Sequence, residues 1–382
     1  MENTVKLFYE DAFMAEFDAT VLSCEPYKDG YKAVLDRTAF FPEGGGQYGD
    51  TGYLDEIRVT DTKEKDGVIF HIIDAPIEAG KSAHGKLDWE KRFDRMQQHS
   101  GEHIVSGIVH RRFGYNNVGF HLADDYCTMD FNGPITKEQL LEIENEANQA
   151  IFQNFPVNVL YPVKEELHEL DYRSKIVIEG QVLIIEIPVV DLCACCAPHV
   201  AYTGQIGLIK LVGMANYKGG ERIHMLGGAR ALADYQRKHQ SVKQISALLC
   251  EKEEKIAEGV ERLKTEQSGL KLELASMQKE RLQYKAAEVE VGDGAVCVFD
   301  EKLAGDDLRE IVNLLLERGA SVCGAFGGTD QDGYRYVIGS KTEDVRLLNQ
   351  KLKEKFGARG GGKPEMVQGS LTGTEMEIKA LF

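Results

Sequence analysis

Two pairs of metal-ligand residues constrain this chain more than any other feature: His99 with His103, and Cys195 with His199. The first pair reads HSGEH and the second CCAPH, so three residues separate the members of each. On a helix, positions i and i+4 share a face, and two imidazoles so spaced reach one ion. Histidine and cysteine together form the ligand set of tetrahedral zinc, with Zn–N near about 2.0 Å and Zn–S near about 2.3 Å. A fold that uses both pairs has to bring together segments about ninety residues apart. Three thiols, Cys193, Cys195 and Cys196, compete for the fourth position, and the C-x3-H spacing selects Cys195.

Composition bounds the answer. At 382 residues the chain is long enough for about two to four domains. The start, MENTVKLFYED, lacks the apolar core of a signal peptide. QVLIIEIPVV is too short to span a bilayer and contains Glu186. With free thiols crowded at 193, 195 and 196, a reducing, cytoplasmic location is the expectation. The net charge of −17 argues against non-specific binding to nucleic acid, yet net charge hides local patches. KLKEKFGARGGGK, Lys351 to Lys363, holds five cations against one Glu and is a candidate phosphate contact. The alternative there is a solvated helix end and flexible turn.

Residues 1–88 read as short β-branched and aromatic strands separated by Gly, Asp and Pro turns, which predicts a small β-barrel or sandwich. Near Trp89 the pattern turns helical, placing His99 and His103 on a helix. A second helix starts at Thr136, where Thr136 and Gln139 make a capping box and Ile135 with Leu140 a hydrophobic staple. VNVLYPV, KIVIEGQVLIIEIPVV and QIGLIKLVG read as strands, with Cys195 and His199 in the loop between the last two. Residues 89–234 thus form an α+β ligand domain. Residues 235–290 read as one long helix. Val242, Leu249, Ile256, Leu263, Leu270, Met277 and Tyr284 recur every seventh position, one seam of a coiled coil. The companion seam is poor, so the seam either pairs across a homodimer, folds back, or lies on a neighbouring domain. Residues 291–382 read as a compact α/β unit. The fold class is multidomain α+β.

HSGEH on a helix together with CCAPHVAYTGQIG resembles the editing domain of alanyl-tRNA synthetases and of their free-standing relatives, the alanyl-tRNA editing proteins of the AlaX type. TAFFPEGGGQYGDTG, Thr38 to Gly52, is similar to the Gly-rich motif of the β-domain that precedes it. GARGGGKPEMVQGS, Gly357 to Ser370, resembles the C-terminal domain shared with DHH-type phosphoesterases. The order covers nearly the whole chain and points to the long AlaX type. Threonyl-tRNA synthetases share the four-ligand set, but the GGGQ motif favours the alanine branch. A synthetase needs several hundred further residues, and a DHH phosphoesterase needs an Asp-His-His motif absent here. The family commonly reads CGGTH where this chain reads CCAPH.

The resemblance implies a zinc-dependent hydrolase of mischarged tRNA for alanine, removing Ser or Gly from the ester. A binding module with a structural zinc, and an editing hydrolase for another tRNA such as Ser-tRNA for threonine, are the alternatives. Four protein ligands close a site, whereas a catalytic zinc keeps an open position. Gln47 is the candidate to orient water or the ester carbonyl. Thr38 is the candidate to recognise a seryl hydroxyl. Gly44, Gly45 and Gly46 allow close approach of the tRNA end, with a tight hairpin turn as the alternative. Lys218 and Arg222, with Arg230, are candidate phosphate contacts, as are Arg359, Gly360, Gly361, Gly362 and Lys363. Glu102 is placed by its position before His103 on the side away from the metal.

Overall fold

Alternation along the N-terminal segment directs one set of side chains inward, as Phe17, Ala19 and Val21 show. The strands are β1 (Val5–Lys6), β2 (Glu16–Tyr27), β3 (Gly30–Leu35), β4 (Arg37–Thr38), β5 (Gly52–Leu54), β6 (Ile57–Lys65), β7 (Val68–Ile73) and β8 (Ser82–Leu87). β1 runs parallel to β4. The other six pair in the order β2-β3-β7-β6-β5-β8, and β8 returns to β2 to close a barrel. Phe17, Val21, Leu35, Phe40, Leu54 and Ile73 fill it. The structure is a computed structural model that describes residues 3–174, 182–292 and 294–382. The start of the strand expected in KIVIEGQVLIIEIPVV, residues 175–181, lies outside the described residues.

Helix α1 (Trp89–Phe113) follows, ended by Gly114 in the left-handed conformation, whose N–H bonds the His110 carbonyl at 2.8 Å. Then come β9 (Asn117–Leu122), β10 (Cys127–Phe131), α2 (Lys137–Phe152), β11 (Asn158–Leu160), α3 (Lys164–Leu167), β12 (Ile184–Ile187), β13 (Asp191–Ala194), β14 (Ile209–Tyr217) and β15 (Gly220–Gly227). They form two antiparallel sheets, ordered β14-β15-β10-β9 and β11-β12-β13. The Thr136/Gln139 capping box of α2 is present, and Ile135 and Leu140 pack into the same core. An extra strand, β13, precedes CCAPH, so the loop carrying Cys195 and His199 joins β13 to β14 rather than the two strands expected.

From Arg95 to Val109, α1 is buried on every side, polar residues included. Two glycines make this possible. A Cβ on Gly101 would lie 3.1 Å from Met225 Cε, and one on Gly107 would lie 2.4 Å from the Val190 carbonyl. Gly107 therefore lets the start of β13 lie directly on the helix.

The chain divides into two compact units, residues 1–244 and 245–382. The helix expected over 235–290 is two helices, α4 (Gly228–Leu249) and α5 (Ile256–Glu288). The break falls where Cys250 takes a φ of 53° and Lys252 is extended. Ser246 Oγ donates to the Glu251 carbonyl at 2.5 Å, and the Leu249 side chain packs beside Gly259. Those local bonds replace the helical ones that continuous periodicity predicts. Along α5 the seam positions Leu263, Leu270, Met277 and Tyr284 are exposed, while Leu282 and Ala286 are buried in the second unit's core.

That unit holds β16 (Ala295–Phe299), α6 (Asp306–Glu317), β17 (Val322–Thr329), β18 (Gly333–Ser340), α7 (Arg346–Phe356), β19 (Arg359–Lys363), β20 (Met366–Leu371) and α8 (Glu375–Lys379). Its five-stranded sheet runs β16-β17-β18-β20-β19, with β16 and β17 parallel. No helix among the described residues is long and apolar enough to cross a membrane.

Candidate metal centre

His99, His103, Cys195 and His199 converge: one donor atom from each lies within 4.8 Å of all the others. Cys195 Sγ is 3.5 Å from His99 Nε2 and 3.4 Å from His199 Nε2. Bonds of about 2.0 and 2.3 Å at a tetrahedral angle separate N and S by about 3.5 Å, so this edge already has the size zinc requires. Neither Cys193 nor Cys196 enters this group; Cys193 lies with His103 and Asp191 on the other side of the His103 ring.

Each imidazole is held from behind through Nδ1. His99 Nδ1 is 3.1 Å from Gln47 Oε1, His103 Nδ1 is 2.9 Å from Asp191 Oδ2, and His199 Nδ1 is 3.0 Å from Ser100 Oγ. The Gln47 amide oxygen and the Asp191 carboxylate accept, which puts the proton of His99 and His103 on Nδ1, while the Ser100 hydroxyl can serve His199 Nδ1 as donor or acceptor. Three Nε2 atoms and a thiol face one another. Burial, followed by the neighbouring His103 and His99, pushes the His199 pKa well down, and burial pushes the Cys195 thiol up. Protons are disfavoured on His199, and a thiolate needs a cation beside it. A soft divalent ion satisfies all four donors, so the residues fit such a group.

The backing groups come from several elements. Asp191 opens β13, against Gly107. Arg173 Nε donates to its Oδ1 at 2.7 Å and Nη2 to Oδ2 at 2.8 Å. Burial alone would raise the Asp191 carboxyl; hydrogen bonds from His103 and Arg173 overcome it and hold the group below the usual carboxylate range. Ser100 Oγ also accepts from Val200 N–H at 3.2 Å, which fixes the CCAPH loop to α1. Phe8, Phe41, Ile69 and Ala197 form a small buried cluster against which Cys195 packs.

Gln47 reaches His99 from a hairpin. Gly44 and Gln47 exchange backbone bonds at 3.0 Å in both directions, with Gly45 and Gly46 at φ 61° and 83°. This is the two-residue turn that needs positive φ at both central positions. A Cβ on Gly46 would lie 2.7 Å from the Phe120 carbonyl, while exposed Gly45 stands over His99. The hairpin is anchored to α1. Arg92 Nε donates to Asp50 Oδ2 at 2.7 Å, and Arg95 Nη1 to the Gly49 carbonyl at 2.9 Å. Gln47 Nε2 is buried and makes no hydrogen bond, so one strong donor beside His99 is unspent.

Thr38 differs from its expected role. It is fully buried in the barrel, where its hydroxyl bonds His71 Nε2 at 2.9 Å and accepts from Phe40 N–H at 3.1 Å. It is fully buried, so a seryl hydroxyl could reach it only by entering the barrel core. Arg222 is no free cation: it forms a double ion pair with Asp130 and lies 4.0 Å from the Tyr217 ring centroid. Arg230 is likewise paired, with Asp94. Lys218 is exposed in the β14–β15 turn.

Arg359, Gly360, Gly361, Gly362 and Lys363 lie in the second unit and form the edge strand β19 on β20, not a turn. A Cβ on Gly360 or Gly362 would meet β20 backbone oxygens at 2.1 and 2.2 Å. Close strand pairing therefore accounts for these two glycines. Glu102 is also corrected: its Oε2 lies 3.9 Å from His103 Nε2, on the metal-facing side.

Comparison with known proteins agrees with these motifs. Residues 4–91 match the family "tRNA synthetases class II (A)", and residues 182–224 match "Threonyl and Alanyl tRNA synthetase second additional domain". The alanyl-tRNA editing protein AlaX-L of Pyrococcus horikoshii is 28% identical over 395 residues, covering 98% of this chain and 96% of that protein. The alanyl-tRNA editing protein Aarsd1 of Rattus norvegicus is 26% identical over 399 residues, covering 98% and 97%. Alanine–tRNA ligase of Pyrococcus furiosus is 32% identical over 407 residues, and the chain spans 43% of its length. The chain is thus homologous, along nearly its whole length, to free-standing alanyl-tRNA editing proteins.

Proposed function

We propose that this homologue of the alanyl-tRNA editing proteins is itself a deacylase, which hydrolyses the ester of Ser-tRNA, and of Gly-tRNA, for alanine at a zinc held by His99, His103, Cys195 and His199. One observation carries the reading: three imidazoles, each held through Nδ1, turn Nε2 toward a single thiol beside an unspent amide donor. Zinc bound there supplies Lewis acidity toward an ester carbonyl or a water.

The chain's own residues do the rest. Gln47 Nε2, buried without a hydrogen bond, is the donor we assign to the oxygen of the ester carbonyl as charge develops on it, worth about 3–4 kcal/mol when such a donor is removed. Its Oε1 meanwhile fixes His99, so one side chain both orients a ligand and meets substrate. Gly45 leaves space over His99 that any larger residue would narrow. Buried Asp191 and Arg173 hold the His103 ring in one orientation through every turnover.

The partner in this reading is tRNA. Exposed Lys218, Arg359 and Lys363 are its candidate phosphate contacts, with exposed Gly360, Gly361 and Gly362 allowing close approach on β19. Arg222 contributes charge already shared with Asp130. We assign the work to the cytoplasm, where tRNA is charged. We assign the exposed seam of α5 to a homodimer.

A second reading has a specific observation behind it: four protein donors close the set, which suits a structural zinc in a tRNA-binding module. One experiment separates the two. Release of Ser from Ser-tRNA for alanine is measured for the wild type, Cys195→Ala and His103→Ala, with the zinc content of each. Activity lost together with zinc supports the deacylase. A fully loaded wild type that cleaves no ester, including Ser-tRNA for threonine, leaves the binding module.

A further inference from the structure

The sheet β14-β15-β10-β9 has two unlike faces. One carries Cys127, Met129, Phe131, Ile223 and Met225 into the core, so the residues that alternate with them point outward. On the outer side Thr128 is the register partner of both His121 and His224, which puts the three in one row across β9, β10 and β15. Tyr126, two residues before Thr128, lies beside His224 with ring centroids 5.3 Å apart. Gly213, opposite His224 on β14, adds no side chain there. At the β9 edge Tyr48 meets His121 edge to face, centroids 5.9 Å apart at 84°. Two tyrosines and two histidines thus line one open surface. Tyr48 and Tyr126 stay 41% and 38% exposed, and grouped apolar rings left in water mark a surface that something covers.

What covers it follows from where it begins. Tyr48 is the residue after Gln47, whose side chain reaches His99 at 3.1 Å. The same hairpin is bonded to β9, where Leu122 N–H donates to the Gly46 carbonyl at 3.1 Å. The aromatic surface is therefore continuous with the border of the metal centre. A charged tRNA carries its ester on the last nucleotide of an unpaired 3′ end. With the ester at the centre, the nucleotides before it lie on the surface next to the hairpin. Unpaired bases stack on aromatic side chains, and an open antiparallel sheet is a common platform for them. Charge agrees with bases rather than backbone at this end: Asp124 and Asp125, exposed in the β9–β10 turn beside Tyr126, repel phosphate. The cations of the face, Arg222 and Lys218, stand at the other end of β15 and in the turn before it.

We propose that the outer face of this sheet binds the unpaired nucleotides at the 3′ end of the tRNA, with Tyr48 and Tyr126 as the rings on which bases stack. This inference rests on the tRNA reading above and deepens it by placing the end of the substrate. His121 and His224 hold the two tyrosine rings from the side. Recognition by stacking needs the flat faces of bases and is tolerant of their identity. A blunt duplex, whose bases are already paired and stacked, does not fit the surface.

The test is a binding measurement on the zinc-loaded full chain, followed by fluorescence anisotropy. The probes are a short single-stranded RNA ending in CCA and a strand of the same length without bases. The wild type is expected to bind the first about tenfold more tightly or better. Tyr48→Leu and Tyr126→Leu, which keep apolar bulk but remove the ring, should each weaken that binding about five- to tenfold and leave the baseless strand unaffected. Tyr53→Leu removes an exposed tyrosine of the barrel strand β5 and should change neither. The wild-type comparison stands even if a variant fails to fold.

Equal binding of both strands by the wild type overturns the surface. So does a loss in Tyr53→Leu as large as in the other two. A changed oligomeric state in Tyr48→Leu or Tyr126→Leu, with RNA binding intact, would give the face to a second copy of the chain and overturn it as well. Ester cleavage by a wild type that binds both strands equally would sink the surface and leave the deacylase standing. Base-dependent binding without cleavage would do the reverse.

Discussion

Two regions of the first unit bury histidine, and they do it in opposite ways. In the barrel, both nitrogens of His71 are used up by the fold: Nδ1 lies 3.4 Å from the Ala33 carbonyl and Nε2 bonds Thr38. At the centre, His99, His103 and His199 are held through Nδ1 by Gln47, Asp191 and Ser100 and turn Nε2 toward one another and Cys195. Burial lowers the pKa of His71 to about 4 and of His199 well below its ordinary value. Burial and a depressed pKa therefore do not mark a site. What marks it is where the second nitrogen points.

The largest expected effect breaks the comparison outright. His103→Ala removes a ligand and strands Asp191 beside Arg173; zinc content should fall from one per chain to near zero. His71→Gln should leave zinc content unchanged. Equal zinc in both variants would erase the distinction.

Next is Gly107→Val. The added carbons meet the Val190 carbonyl and the Asp191 side chain, so β13 has to move off α1. A loss of about 3 kcal/mol or more in urea unfolding is expected, with zinc affinity reduced as well.

Asp191→Asn keeps the shape and removes the charge behind His103. Zinc affinity measured by chelator competition should fall about 10- to 100-fold, as for other groups that orient metal ligands. Thr38→Val, which alters the corresponding group behind His71, should leave zinc affinity alone.

The smallest effect belongs to the barrel. The folded pKa of His71 lies below its unfolded value of about 6.5, so the unfolded chain takes up the proton first. The stability this residue contributes is complete above about pH 6.5 and is lost as pH falls toward about 4, by about 2 kcal/mol between pH 7 and pH 5. His71→Gln should flatten that part of the unfolding curve. A wild-type curve flat over the same range would show that the barrel does not bury a neutral His71.

Spacing made the convergence of His99, His103, Cys195 and His199, the turn weighed as the alternative reading of GGGQ, and the strand-rich N-terminal segment legible in the sequence, because each depends on residues close in the chain or on a period. The backing groups were not legible in the same way. Asp191 stands 88 residues from His103, and only the register of β13 and the missing side chain of Gly107 bring them together. Ser100 lay inside HSGEH in plain view, but its partner His199 is 99 residues away. Glu102 was read on the wrong side: helical position alone sets a direction for Cβ, and a long side chain braced by Ser106 and Asn117 returns to the centre. The continuous seven-residue period hid the break at Cys250, where neither Pro nor Gly signals it. The glycines of ARGGGK suggested a turn, whereas Gly360 and Gly362 serve close pairing of two strands.

The most direct test of the whole account is to titrate zinc into the metal-free chain while following release of Ser from Ser-tRNA for alanine. The expected curve rises from no activity and saturates at one zinc per chain, with Ala-tRNA for alanine far less affected. Full Ser release by the metal-free chain, or none at one zinc per chain, would contradict it.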